Sequence, residues 1–63
     1  MQTYEIRLMA QKDWIAEVQI VTAESLASAI ARAKALLARH RDMEAAQIRS
    51  RGGMLLAGVG QAQ

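Results

Sequence analysis

The apolar residues of this chain change their spacing twice, from period two to period 3.6 and back to period two. That order rules out an all-helical bundle and an all-strand sandwich alike. Over residues 3–10, Tyr4, Ile6 and Leu8 alternate with Thr3, Glu5, Arg7 and Met9, the pattern of a half-buried strand. Residues 14–21 alternate again, with Trp14, Ala16, Val18 and Ile20 on one side and Ile15, Glu17, Gln19 and Val21 on the other. Between them lies the polar break Gln11-Lys12-Asp13. Pairing Leu8 with Ala16, Ile6 with Val18 and Tyr4 with Ile20 keeps both apolar sets on one face. A two-residue loop would put those sets on opposite faces. The spacing therefore predicts a three-residue loop with Asp13 in the left-handed region.

Leu26, Ala29, Ile30, Ala33, Leu36 and Leu37 then recur as one helical stripe. The Ala content favours the helix. Thr22 reads as its N-cap, Glu24 as a first-turn carboxylate, and Arg39, His40 and Arg41 as cations near the C-terminal end of its dipole. The expected helix covers residues 23–40. Residues 43–51 return to alternation, with Ala46 and Ile48 inward and Gln47, Arg49 and Arg51 outward. Gly52-Gly53 suits a two-residue turn with positive φ at both positions. It would lead into a strand over 54–59, pairing Ile48 with Ala57 and Ser50 with Leu55, so that Leu55, Ala57 and Val59 face the core. Residues 60–63 read as a frayed tail. The sum is a single α+β domain over residues 1–63 in the order ββαββ. Its four-stranded sheet is antiparallel or mixed, and one helix packs on one face.

Length and composition narrow the chemistry. With 63 residues there is room for a small core and none for a deep substrate cavity. The chain has no cysteine and a single histidine, His40, so neither a disulfide nor a usual zinc set is available. No metal or other cofactor is expected. Ser25, Ser28 and Ser50 have only His40 as a base, with no third group placed to orient it. Gly58-Val59-Gly60 opens no helix and so is not a dinucleotide fingerprint. No catalytic residue and no small-molecule substrate are expected. No apolar run approaches the ~20 residues of a membrane helix, and the first residues lack the basic and apolar regions of a leader. The expectation is a cytoplasmic protein without a membrane partner.

Two surfaces stand out. The sheet face away from the helix would carry Met9, Ile15, Val21, Met54 and Leu56, rimmed by Arg7, Arg49 and Arg51. An apolar face of that kind is either a partner or dimer interface or a scatter of single surface apolar residues on a short sheet. Arg32 and Arg39, seven apart on the helix's outer face, either form part of an ordinary solvated helix face or join Arg49 and Arg51 in a basic surface for phosphates or an acidic protein patch. The net charge of +2 is mild for a nucleic-acid binder. Tyr4 and Trp14 fall on the core side of the expected register, which leaves no aromatic platform for stacking bases.

Val21-Thr22-Ala23-Glu24-Ser25-Leu26, the Ala-rich helix, Gln47-Ile48-Arg49, the Gly52-Gly53 turn and Met54-Leu55-Leu56-Ala57 resemble two groups. One is a set of tiny bacterial and phage proteins with the same strand and helix order. The other is the small type I-F anti-CRISPR proteins. The resemblance spans about residues 20–57. It implies a non-catalytic inhibitor encoded by a phage or mobile element and acting in the host cytoplasm. Such a protein would dock on a crRNA-guided CRISPR-Cas surveillance complex and block its target DNA, with Lys and Arg contacts. It assigns no individual residue. Two other readings stay open: a basic nucleic-acid-binding module, and a homodimer joined through the open sheet face. Salt dependence separates the nucleic-acid reading from the other two.

Overall fold

A computed structural model describes residues 1–11 and 14–60. The fold is α+β: four antiparallel strands in one sheet and a single helix, in the order ββαββ. The elements are β1 (Gln2–Gln11), β2 (Trp14–Ala23), α1 (Leu26–Arg39), β3 (Ala45–Ser50) and β4 (Leu55–Gly60). The sheet order is β2-β1-β3-β4. Both β2 and β3 run antiparallel to β1, so they run parallel to each other with β1 between them.

The core lies between the sheet and α1. Tyr4, Ile6 and Leu8 of β1, Val21 and Ala23 of β2, and Ala46 and Ile48 of β3 point at the helix. The helix answers with Ala29, Ala33 and Leu37, flanked by half-buried Leu26, Ile30 and Leu36. The three largest side chains below 2% exposure among the described residues, Ile6, Leu8 and Ile48, all come from the two central strands. They face a helix stripe whose middle positions are alanines. Large residues opposite small ones let the two layers interdigitate at close range. The expected helical stripe is therefore the one that packs. No helix among the described residues is long and apolar enough to cross a membrane.

The N-terminal hairpin departs from the expected register. Tyr4 pairs with Val21, Ile6 with Gln19 and Leu8 with Glu17, one residue away from the even-to-even pairing. Val21 and Ala23 are thus buried under α1, at 7% and 5% exposure, while Val18 and Ile20 turn to the opposite face. Two constraints explain the slip. β1 continues to Gln11 and β2 begins at Trp14, so two residues connect them and odd positions pair with even ones. At the other end, only Glu24 and Ser25 join β2 to α1, which holds the strand's last residues beneath the helix's first turn. The expected left-handed Asp13 lies outside the described residues. Two register shifts, at Leu8/Met9 and Met9/Gln11, cancel one another. Between them Met9 sits opposite Ile15.

The helix begins later than expected. β2 runs through Ala23, and the cap is Ser25, in an extended conformation, whose Oγ accepts from the Ser28 N–H at 3.2 Å. Thr22 is a strand residue paired with Thr3, and Glu24 precedes the cap. Strand pairing of the 22–23 backbone overrides their helix signals. At the C-terminal end the His40 N–H is shared between the carbonyls of Leu36 and Leu37.

The C-terminal hairpin keeps the expected pairing of Ile48 with Ala57. Its turn is different. The Ser50 carbonyl accepts from the Gly53 N–H at 2.9 Å, and the Ser50 N–H donates to the Met54 carbonyl at 2.8 Å. That is a three-residue loop, 51–53, with positive φ at Gly53 alone (+95°). This geometry is a turn followed by a glycine bulge. A second register shift falls between Ile48 and Arg49, so Arg49 pairs with Leu55 and not Ser50 with Leu55. Leu55 is therefore outside the core, at 52% exposure, while Ala57 and Val59 pack against it as expected. Gly60, expected to fray, closes β4 opposite Ala45; residues 61–63 lie outside the described residues.

Candidate interaction surfaces

The face of the sheet away from α1 can be read in rows from the pairing. One row runs Ile20–Glu5–Arg49–Leu55, from β2 to β4. The next runs Val18–Arg7–Gln47–Gly58, and the third Ile15–Met9–Ala45–Gly60. Along β2 the apolar side chains Ile15, Val18 and Ile20 follow one another on this face, and Ile20 is 64% exposed. The third row carries that apolar strip inward through Met9 and Ala45. Trp14, at the start of β2, is 63% exposed. Toward β4 the strip ends on Gly58 and Gly60, which have no side chain to raise above the sheet.

The centre of the face is polar and its groups are engaged. Arg7 forms an ion pair with Glu5 on its own strand. Arg49 donates from Nε and Nη2 to Gln47 Oε1, at 3.2 and 3.0 Å, and from Nη1 to the Gly53 carbonyl at 2.8 Å. Arg49 thereby ties the β3–β4 loop to the strand. Every hydrogen bond here links residues two or four apart, so the polar band rigidifies its own hairpin.

The expected site residues therefore divide. Met9 and Ile15 do meet, directly across the β1–β2 pair, although Met9 is sunk between its neighbours at 8% exposure. Met54 and Leu56 are exposed but belong to the far side of the sheet, by the loop and the β4 bulge. The polar band separates them from Ile15. Val21, expected on this face, is in the core. Tyr4 is in the core as expected, while Trp14 is not. Arg51 lies in the turn, exposed, and Arg32 and Arg39 lie on the helix side. The anticipated single basic surface is thus three separate places. The residues missed were Trp14, Val18 and Ile20, because strict alternation assigned them inward. Spacing alone does not separate the two registers, because the polar break Gln11-Lys12-Asp13 accommodates a connection of two residues or of three.

On the helix side, Arg32 and Arg39 line an open groove of about 160 Å³ together with Ala35, Leu36 and Gln19 of β2. Gln19 Nε2 donates to Glu17 Oε2 at 2.7 Å. Among the described residues no group of three His, Asp or Glu side chains gathers closely enough to hold a metal ion. No family model, no curated protein and no solved structure matches the chain.

Proposed function

We propose that this chain is an interaction protein that works by docking, as an inhibitor of a crRNA-guided surveillance complex, and that it blocks the complex from its target DNA. The observation that carries the docking is the row Ile15, Val18 and Ile20 on the open face of an edge strand, with Trp14 beside it. Fully burying one such side chain contributes roughly 1.5–3 kcal/mol. Four of them on one strand form an anchor of the size that dominates an interface, and Trp is prominent among such anchors. The choice of partner is supported by the resemblance of residues 20–57 to small type I-F anti-CRISPR proteins. The engaged centre of the face gives the partner a rigid polar band to meet, so little side-chain freedom is lost on binding.

The test is a plaque assay in cells carrying a type I-F system, with the chain supplied in trans, beside capture of the purified complex. Parent chain should protect a targeted phage. Ile20→Lys should abolish protection while its circular dichroism stays native. Targeting that proceeds undiminished with the parent chain expressed would exclude the inhibitor reading. Protection by a natively folded Ile20→Lys variant would exclude the β2 face. The groove of Arg32 and Arg39 favours a second reading, contact with nucleic acid, developed next.

A further inference from the structure

The five arginines singled out above differ in how they are used. On the open face, Arg7 is held by Glu5, and Arg49 by Gln47 and Gly53. Arg32 and Arg39 are exposed and have neither an ion pair nor a hydrogen bond among the described residues. They line the same groove. Seven residues separate them, two helical turns or about 10.5 Å along the axis, so both long side chains can reach a point midway. What lies midway is Ala35 and Leu36, a floor with no polar side chain and, at Ala35, almost no height. The opposite wall is Gln19. Its amide gives one N–H to Glu17 and retains a second N–H to donate.

We propose that this groove between β2 and α1 binds a phosphate group. A guanidinium presents a rigid fork of donors. One fork fills the two oxygens of a carboxylate. A tetrahedral phosphate offers further oxygens and accepts from two forks and an amide at once. The charged groups facing the groove are Arg32 and Arg39 from α1 and, beside Gln19, the Glu17 carboxylate from β2. Their sum is one positive charge, which suits a singly charged phosphodiester at least as well as a free phosphate dianion. The site is on the opposite side of the molecule from the docking strip and does not depend on it.

The experiment is a titration of the labelled full chain, followed by NMR at the Gln19 side-chain amide and the arginine Nε–H signals. One arm uses inorganic phosphate, the other a single-stranded oligodeoxynucleotide of a dozen residues. Saturable shifts at these signals in either arm are expected. Response to the oligonucleotide alone assigns backbone phosphodiesters, and response to inorganic phosphate alone assigns a small anion. In the Arg32→Gln/Arg39→Gln double variant, affinity should fall at least tenfold, whereas Arg41→Gln should bind as the parent does. For the oligonucleotide, one neutralised phosphate on a single strand corresponds to a slope of about −0.7 in log affinity against log salt, and the double variant should lose that slope. The spectra report folding directly, and single Arg39→Gln serves if the double variant unfolds. Absence of saturable shifts in both arms, or undiminished binding by the folded variants, overturns the proposal.

Discussion

Gly53 is the only described residue whose φ is positive, at +95°, and its carbonyl is the one Arg49 grips. A Cβ placed on Gly53 would meet nothing within 4 Å, so the penalty for a side chain there is conformational, about 1–2 kcal/mol. Gly52 is the control. Its φ is not positive, and a Cβ there would come no closer than 3.9 Å to Ser50 Oγ. Gly52→Ala should therefore be neutral or slightly stabilising, because alanine narrows the unfolded ensemble. Thermal melts should show Gly53→Ala lowered by several degrees and Gly52→Ala unchanged or raised, given ~4–8 °C per kcal/mol in a domain of this size. Equal losses in the two variants would mean a two-residue turn with both glycines in the left-handed region. That alternative was the natural expectation from Gly52-Gly53, and the reason is local. Two adjacent glycines announce a turn, but both are equally permissive. What selects between them is a set of contacts reaching outside the dipeptide: Ser50 Oγ accepting from the Met54 N–H at 3.1 Å and the Arg49 guanidinium on Gly53. Neither carries a signature in sequence spacing.

At the scale of elements, the period of each strand was legible, and so was the facing of β1 and β3; the facing of β2 was not. In β2, the set Trp14, Ala16, Val18 and Ile20 is more apolar than Ile15, Glu17, Gln19 and Val21, so composition favours burying the first. The helix, however, covers only part of β2. Val21 and Ala23 lie under it, while Glu17 is exposed and Gln19 only half-buried. Polar residues on the inward side therefore cost little, since they stand at the margin of the helix. The register assignment can be checked with one substitution at two neighbouring positions. Val21→Asn puts an amide into the core and removes packed methyls, at a cost of about 3 kcal/mol. Ile20→Asn alters an exposed strand position, where the cost stays within about 1 kcal/mol. Urea denaturation should rank them in that order. The reverse ranking would restore the even-to-even pairing, return Ile20 to the core and remove the docking strip with it. β3 was easier to orient because Ala46 and Ile48 are its only clearly inward residues, and Gln47 and Arg49 leave no competing apolar set.

For the whole molecule, compactness and thinness act together. The Cα radius of gyration is 10.6 Å, close to the ~11 Å of a compact chain of this length, although one helix covers only one face of the sheet. The open face was foreseen from one helix and four strands, since a single helix covers one side of a sheet. Its division into a polar centre and apolar margins was not, because it depends on strand order, and β2-β1-β3-β4 places Ile15 and Leu56 at opposite edges. Closing the fold this way leaves little redundancy. Among the described residues the largest side chains below 2% exposure are Ile6, Leu8 and Ile48, and they sit side by side on β1 and β3, with Ile6 directly opposite Ile48. A domain of this length has roughly 3–9 kcal/mol of stability at ordinary values per residue. Truncating a buried Ile to Ala removes about 2–5 kcal/mol, more where the surroundings cannot collapse into the gap. Ile48 lies on β3, which is hydrogen-bonded on both sides, to β1 and to β4, and this limits such collapse. Ile48→Ala should therefore be largely unfolded at 37 °C by circular dichroism, with a urea midpoint near or below the start of the parent's transition. Leu55→Ala, one bulge away and half-exposed, should melt within about 0.5 kcal/mol of the parent. A cooperative, parent-like transition in Ile48→Ala would mean that the β1–β3 centre is not what holds this sheet to its helix.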